Sequence, residues 1–386
     1  MHVGFLFNHY VGHQVYHSAP VAFALSTKYP KAQVSIIVAD PKQLAIVRSI
    51  ANDWPNHNCQ IIQAHVPFYA KVLDKIIGKF VLIRKWAVLH SNKNLFKQLD
   101  VIVVPEKTTL ALRKDPDLAH LKMVRIRHGA GDRNISFGPE QNLFDLLLAP
   151  GEEVRQRLIK DAGVAADKII VVGYPKFDVL THHRPESIFQ NDNPVVVYNP
   201  HYKKNESSYQ QWGKEVLEFF KNNPQYNLIF APHVLLYLRK WRHGAFDVSE
   251  YGEYPNIYID TGSSKSLDMT YIRQADIYLG DVSSQVYEFM ETPRPCIFLN
   301  PHGFNWKGNK IFRYWTGGPV IEDIKDLPTA LHNAFKDHDE VYEPIQESLF
   351  NSTFSLTGIP SCERSADAII TKFAPELLEK RRRTTK

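Results

Sequence analysis

Short runs rich in β-branched and apolar residues alternate along this chain with helical patterns, and after one break the alternation starts again. Few folds are open to such a chain, because parallel strands need helical crossovers and buried parallel strands read as continuous apolar runs. In the first half the strand candidates are His2 to Phe7, Gln33 to Val38, Gln60 to Ala64, Val101 to Val104, Lys122 to Ile126, Leu146 to Ala149 and Lys168 to Val172. Helices are expected over His13 to Lys28, Pro41 to Ala51, Phe68 to Phe96 and Glu152 to Ala162. Polar sequence from Thr181 to Asn193, with Pro185 inside it and Pro194 after it, reads as a linker. The pattern resumes with strands at Val195 to Tyr198, Asn227 to Ala231, Asn256 to Asp260, Asp276 to Leu279 and Cys296 to Leu299. Its helices are expected over Tyr209 to Asn222, Val234 to His243, Lys265 to Arg273, Ser284 to Glu291 and Leu327 to Lys336, and Ser361 to Lys380 reads as a last helix.

The expectation is an α/β protein with two Rossmann-like lobes facing across a cleft. They are residues 1–185, carrying a basic amphipathic segment at 68–97, and residues 190–350, followed by a C-terminal helix and basic tail at 351–386. Two such lobes without a Gly-x-Gly-x-x-Gly turn favour a two-lobed nucleotide-sugar type of transferase over a dehydrogenase. With 386 residues and 44% hydrophobic content, two ordinary cores are available.

Composition narrows the setting. Cys59, Cys296 and Cys362 form neither a disulfide framework nor a Cys-x-x-Cys pair, which suits a reducing compartment. The start of the chain has no basic leader, and no run approaches the roughly 20 apolar residues of a spanning helix. A cytoplasmic protein, at most peripheral on the inner face of the membrane, is expected. Net charge is +5, and Lys71, Lys75, Lys79, Arg84, Lys85, Lys93 and Lys97 crowd one amphipathic segment. That segment suits an anionic bilayer surface or a polyanionic acceptor, or else is a solvated face over a core stripe. No nucleic-acid motif and no set of metal ligands stands out, so neither partner is expected.

Chemistry is expected where strands reach the rim of a parallel sheet. After Lys122 to Ile126 come Arg127, His128, a Gly129-Ala130-Gly131 turn, Asp132 and Arg133. A histidine can take a proton from a hydroxyl at neutral pH and a neighbouring carboxylate can orient it, so His128 is the candidate base and Asp132 its partner. Arg127, Gly129 and Arg133 are candidates for acceptor or phosphate contacts. In the second half three strands end on Asn199-Pro200-His201-Tyr202-Lys203, on Pro232-His233, and on Gly280-Asp281-Val282-Ser283-Ser284. A serine pair alone reads as a helix cap. Together the three rims favour a phosphate pocket formed by His201, Lys203, His233, Asp281, Ser283 and Ser284. Glu288 either meets a ribose hydroxyl or orients a catalytic group, or it is a solvated helix carboxylate.

The ordered set His128-Gly129, Gly173-Tyr174-Pro175-Lys176-Phe177-Asp178, Asn199-Pro200-His201, Pro232-His233, Gly280-Asp281-Val282-Ser283-Ser284 with Glu288, and Pro293-Arg294-Pro295 resembles the CDP-glycerol glycerophosphotransferase family, the teichoic acid primases and polymerases and their capsule-building relatives. The resemblance covers roughly Lys122 to Ala368. It implies a GT-B fold, attachment to the inner membrane face, a base at His128, and pyrophosphate contacts from His233, Ser283 and Ser284. The chain departs from the family at Ala130, at Asn199-Pro200-His201-Tyr202-Lys203, and at Glu288. The function so implied is transfer of glycerol phosphate, or a related polyol phosphate, from a CDP-activated donor to a hydroxyl of a lipid-linked or glycan acceptor, with no cofactor beyond that donor. The alternatives are an inverting glycosyltransferase using a nucleotide sugar, and a non-catalytic partner in polysaccharide assembly.

Overall fold

The structure, a computed structural model, describes residues 1–10, 12–77, 82–127, 129, 137–180, 186–238 and 243–378, with backbone alone at 75–77. It divides into two compact units, Met1–His128 with Ile135–His182 and Ser352–Lys386, and Gly129–Asn134 with His183–Asn351.

The first unit is built on seven strands: β1 His2–Phe7, β2 Gln33–Val38, β3 Gln60–Gln63, β4 Val101–Val104, β5 Lys122–Ile126, β6 Leu146–Ala149 and β7 Ile169–Val171. Their order is β3-β2-β1-β4-β5-β6-β7, and every ladder is parallel. All four residues of β4 and of β6 are buried, as expected of strands covered on both faces. The order reverses between β1 and β4, which opens a crevice beyond their carboxyl ends.

Helix Ser361–Phe373 belongs to this unit and packs on helix Val15–Lys28. Cys362, Ala366, Ile369 and Ile370 supply its buried face. Lys28 Nζ reaches Glu363 at 3.1 Å and Asp367 at 2.9 Å, and the Tyr29 hydroxyl donates to Asp367 at 2.6 Å. The C-terminal segment that the sequence sets apart is thus a layer of the first unit.

The second unit repeats the design with β8 Val195–Asn199, β9 Asn227–Phe230, β10 Ile257–Ile259, β11 Ile277–Gly280, β12 Cys296–Leu299 and β13 Val320–Ile321. The order β10-β9-β8-β11-β12-β13 again reverses, here between β8 and β11. Val196, Tyr198, Val216, Leu217, Phe220, Leu279 and Ile297 belong to one buried core. Both units are therefore doubly wound α/β sheets, the two Rossmann-like lobes the sequence predicts.

Some elements differ from expectation. Instead of one helix over Phe68 to Phe96 there are three, Phe68–Ile77, Ile83–Ser91 and Lys93–Phe96. Asn92 makes the second break: its side chain accepts from His65 N at 2.8 Å and donates to His65 O and Val88 O, both at 2.8 Å, in competition with the helix. Four of the basic residues of this segment are paired within the protein, while the side chains of Lys75 and Lys79 lie outside the described residues. Arg84 pairs with Asp40 at 2.7 Å, Lys93 with Asp115 at 2.7 Å and Asp117 at 3.0 Å, Lys97 with Asp117 at 2.8 Å, and Lys85 is buried against Glu106. The segment also exposes apolar side chains, Phe68 at 81%, Tyr69 at 62% and Trp86 at 45%, beside Val72, Leu73 and Leu82, with Lys71 exposed among them.

The return of the chain to the first unit is tight. Ser355 N donates to Pro150 O at 2.8 Å just after β6. A Cβ on Gly151 would stand 2.2 Å from Thr353 O, a backbone atom that cannot swing away. Gly151→Ala is therefore expected to destabilise the protein by about 1–3 kcal/mol, read as a lower urea midpoint, and an unchanged midpoint contradicts this packing.

Candidate active site

The second sheet reverses between β8 and β11, so ligands are expected beyond Asn199 and Gly280. Beyond them the chain turns away and leaves backbone N–H groups without strand partners, which buried structure does not tolerate. Asp281, 1% exposed, meets this need: its carboxylate accepts from His201 N at 2.8 Å, from Ser208 N at 2.5 Å and from the Ser208 hydroxyl at 2.7 Å. Trp315 Nε1 donates to its backbone carbonyl at 3.2 Å. Asn199 makes a second clasp. It donates to Ala231 O at 2.6 Å and accepts from the Ser283 hydroxyl at 2.9 Å, so the ends of β8, β9 and β11 are tied together.

Held this way, two Pro-His turns repeat one geometry. His233 Nδ1 accepts from Leu235 N at 3.2 Å, and His201 Nδ1 accepts from Lys203 N at 3.3 Å. A backbone N–H can only donate, so in each neutral ring Nδ1 is the acceptor and Nε2 carries the proton. Glu206 Oε2 lies 3.4 Å from His201 Nδ1, but Lys203 Nζ, 3.1 Å from its other oxygen, satisfies that carboxylate. The rings meet edge-on with centroids 5.5 Å apart, and Tyr202 packs at 4.4 Å and 4.6 Å against them. Two N–H donors on one rim suit an anion with several oxygens.

Of the other residues singled out from sequence, Lys203 is half-buried and paired with Glu206, so an incoming anion competes for it. Ser283 is spent on Asn199 and on Gln285 N at 3.3 Å. Ser284 opens helix Gln285–Phe289 without a side-chain capping bond. Glu288 is 5% exposed, which removes its reading as a solvated carboxylate. Asp281 has both oxygens committed to protein donors, which fixes the turn that carries His201.

In the first unit Arg127 is buried, with its guanidinium 4.2 Å from the centroid of Phe137. Arg157 lies 3.8 Å from the same ring. His128, Asp132 and Arg133 lie outside the described residues. Gly129, which follows His128, is described: its φ of 79° favours glycine, and a Cβ there would stand 3.5 Å from Ser284 Oγ. Sequence reasoning gave no role to Ser208, or to Asn199 beyond its place in a motif. The available signal is a polar residue closing an apolar strand beside a serine pair, Ser207-Ser208.

Residues 78–356 match the family described as CDP-Glycerol:Poly(glycerophosphate) glycerophosphotransferase. The teichoic acid glycerol-phosphate transferase of Staphylococcus aureus (strain NCTC 8325 / PS 47) is 26% identical over 249 residues, covering 58% of each chain. The chain therefore spans less than two thirds of the length of that relative. A structure of the wall teichoic acid polymerase TagF soaked with CDPG superposes over 98% of this chain and 89% of its own, with TM-score 0.63 at 14% identity. The UDP-GlcNAc 2-epimerase of Neisseria meningitidis bound to UDP-GlcNAc covers 96% and 99%, with TM-score 0.57 at 13% identity. At such identities the likeness establishes the fold, two Rossmann-like halves of the GT-B kind.

Burial pushes the Asp281 carboxyl up to about 6. Because this lies above its unfolded value near 4, the group's contribution to stability is full below about pH 4 and is lost as pH rises through 6, on the order of 2–3 kcal/mol. Asp281→Asn removes that slope and leaves one buried N–H without an acceptor, which costs about 1–3 kcal/mol. Urea melts of both proteins at pH 4 and pH 7.5 check this, and parallel stability curves contradict it.

Proposed function

This chain belongs to the CDP-glycerol:poly(glycerophosphate) glycerophosphotransferase family, and from that premise we propose that it moves glycerol phosphate from CDP-glycerol to a hydroxyl of a lipid-linked or glycan acceptor in cell-envelope polymer synthesis. The observation that carries the reading is the rim of the second unit, where His201 and His233 each accept a backbone N–H at Nδ1 beside the Ser283-Ser284 turn. A diphosphate is the ligand such a rim fits.

His128 acts as general base. The acceptor oxygen attacks the phosphorus bonded to glycerol, its proton passes to His128, the bond from that phosphorus to the bridging oxygen breaks, and CMP leaves with the electron pair. Nε2–H of His201 and His233, the Ser284 hydroxyl and Lys203 neutralise the leaving group. The nucleotide-sugar reading shares only the fold and gains no observation of its own.

Attachment to the membrane is proposed through the exposed Phe68, Tyr69, Val72, Leu73, Leu82 and Trp86, with Lys71 beside them. Aromatic and aliphatic groups on short helices insert at the level of lipid headgroups. No helix among the described residues is long and apolar enough to cross a bilayer. Arg84, Lys85, Lys93 and Lys97 are paired, so apolar insertion joins the charge of the Lys71, Lys75 and Lys79 stripe as a driving force.

Purified protein should release CMP from CDP-glycerol when given an acceptor. His128→Ala should lower that rate by roughly 10²–10⁴ without changing the melting temperature, and an active His128→Ala variant overturns the assigned base. Replacing Phe68, Tyr69 and Trp86 together with Ser should release the protein from anionic vesicles in a flotation assay. Retained flotation assigns the patch another role.

A further inference from the structure

The first sheet also has a reversal point, between β1 and β4, and the residues that leave it carry an unusual burden. Asn8 follows β1 directly, and Glu106 follows β4 by one proline. Both are at least nine-tenths buried, as is Lys85 from helix Ile83–Ser91. Lys85 Nζ binds Glu106 Oε2, and Asn8 Nδ2 donates to Lys85 O at 2.9 Å, which joins the three. One acceptor on each side chain is left over: Asn8 Oδ1 and Glu106 Oε1 have no hydrogen-bond partner. Arg125, the neighbour of Val104 across the β4–β5 ladder, has an unpartnered Nε close by. The Thr108 hydroxyl lies close to Glu106 but does not meet hydrogen-bond geometry.

A buried ion pair is poor value as a stabiliser, since desolvation offsets most of its attraction. Orphaned buried acceptors add cost, so their presence together where a doubly wound sheet binds ligands asks for a ligand. The chemistry of the cluster selects it. Glu106 offers an acceptor and Lys85 a donor side by side with cancelling charges, and the nearby Arg125 is engaged by Gln141 and by the charge of Glu140, so a phosphate would be drawn by Lys85 and repelled by Glu106. A hydroxyl both donates and accepts, and is neutral.

We propose that Asn8, Lys85 and Glu106 form a subsite in the first unit that holds a hydroxyl of the neutral polyol or sugar end of the acceptor, beside the hydroxyl that reacts. Glu106 is a binding and positioning residue there. The subsite rests on the transferase reading for its place in a reaction, and on the first unit alone for its chemistry.

The test compares wild type with Glu106→Gln on two soluble acceptor probes, one ending in glycerol with adjacent hydroxyls and one ending in propanol with a single hydroxyl. Wild type should use the glycerol-ended probe roughly 10- to 100-fold better. Glu106→Gln should lower its kcat/KM to the level of the propanol-ended probe, through acceptor KM, with the KM for CDP-glycerol unchanged. Calorimetry of the glycerol-ended probe needs no turnover, and weaker binding by Glu106→Gln is expected. Should Glu106→Gln fail to melt cooperatively, Glu106→Gln with Lys85→Met removes the unmatched ammonium and carries the same expectation. Retained discrimination, equal loss on both probes, equal calorimetric binding, or a double variant that does not fold each overturns the subsite. Absence of CMP release by wild type is failure of the transferase reading instead, and leaves the calorimetric outcome to decide the subsite.

Discussion

A carboxylate buried at the rim of the second sheet organises what the second unit presents to a ligand. Asp281 holds His201 N, Ser208 N and the Ser208 hydroxyl at once, across gaps of 80 and 73 residues. Burying such a charge without donors would cost several kcal/mol, and with three donors the cost becomes a constraint on geometry instead. Asn199 fixes the neighbouring ends through Ala231 O and Ser283 Oγ. The loops that carry the two histidines are therefore set by side chains that no ligand needs to touch.

Two sheets of the same winding serve different chemistry because the residues at their reversal points differ. Beyond β8 and β11 the rim offers imidazole N–H groups, hydroxyls and a lysine, all suited to negative charge. Beyond β1 and β4 the rim offers a neutralised pair and two unpartnered acceptors, suited to hydroxyls. Topology supplies the place, and only the side chains say what comes to it.

The strands were legible because parallel strands buried on both faces are continuous apolar runs. His2–Phe7, Gln33–Val38, Val101–Val104, Lys122–Ile126, Leu146–Ala149 and Cys296–Leu299 fall where the sequence places them. Val320–Ile321 escaped notice because two residues carry no period, and helix Glu343–Thr353 because its polar and apolar residues do not form a clear stripe. The break at Asn92 depends on His65, 27 residues away, and the pairing of Arg84 on Asp40, 44 residues away. Contacts of this kind leave no local trace. The same holds for the candidate site: the histidines and serines were visible as strand-end residues, whereas the internal partners of Asp281 required knowing that Ser208 folds back onto it.

A crystal structure with CDP-glycerol bound tests the account most directly. It should show diphosphate oxygens within hydrogen-bond distance of Nε2 of His201 and His233 and of Ser284 Oγ, with the Asp281 carboxylate still on His201 N and Ser208. A diphosphate seated away from both rings, or an Asp281 carboxylate turned onto the ligand, would contradict it.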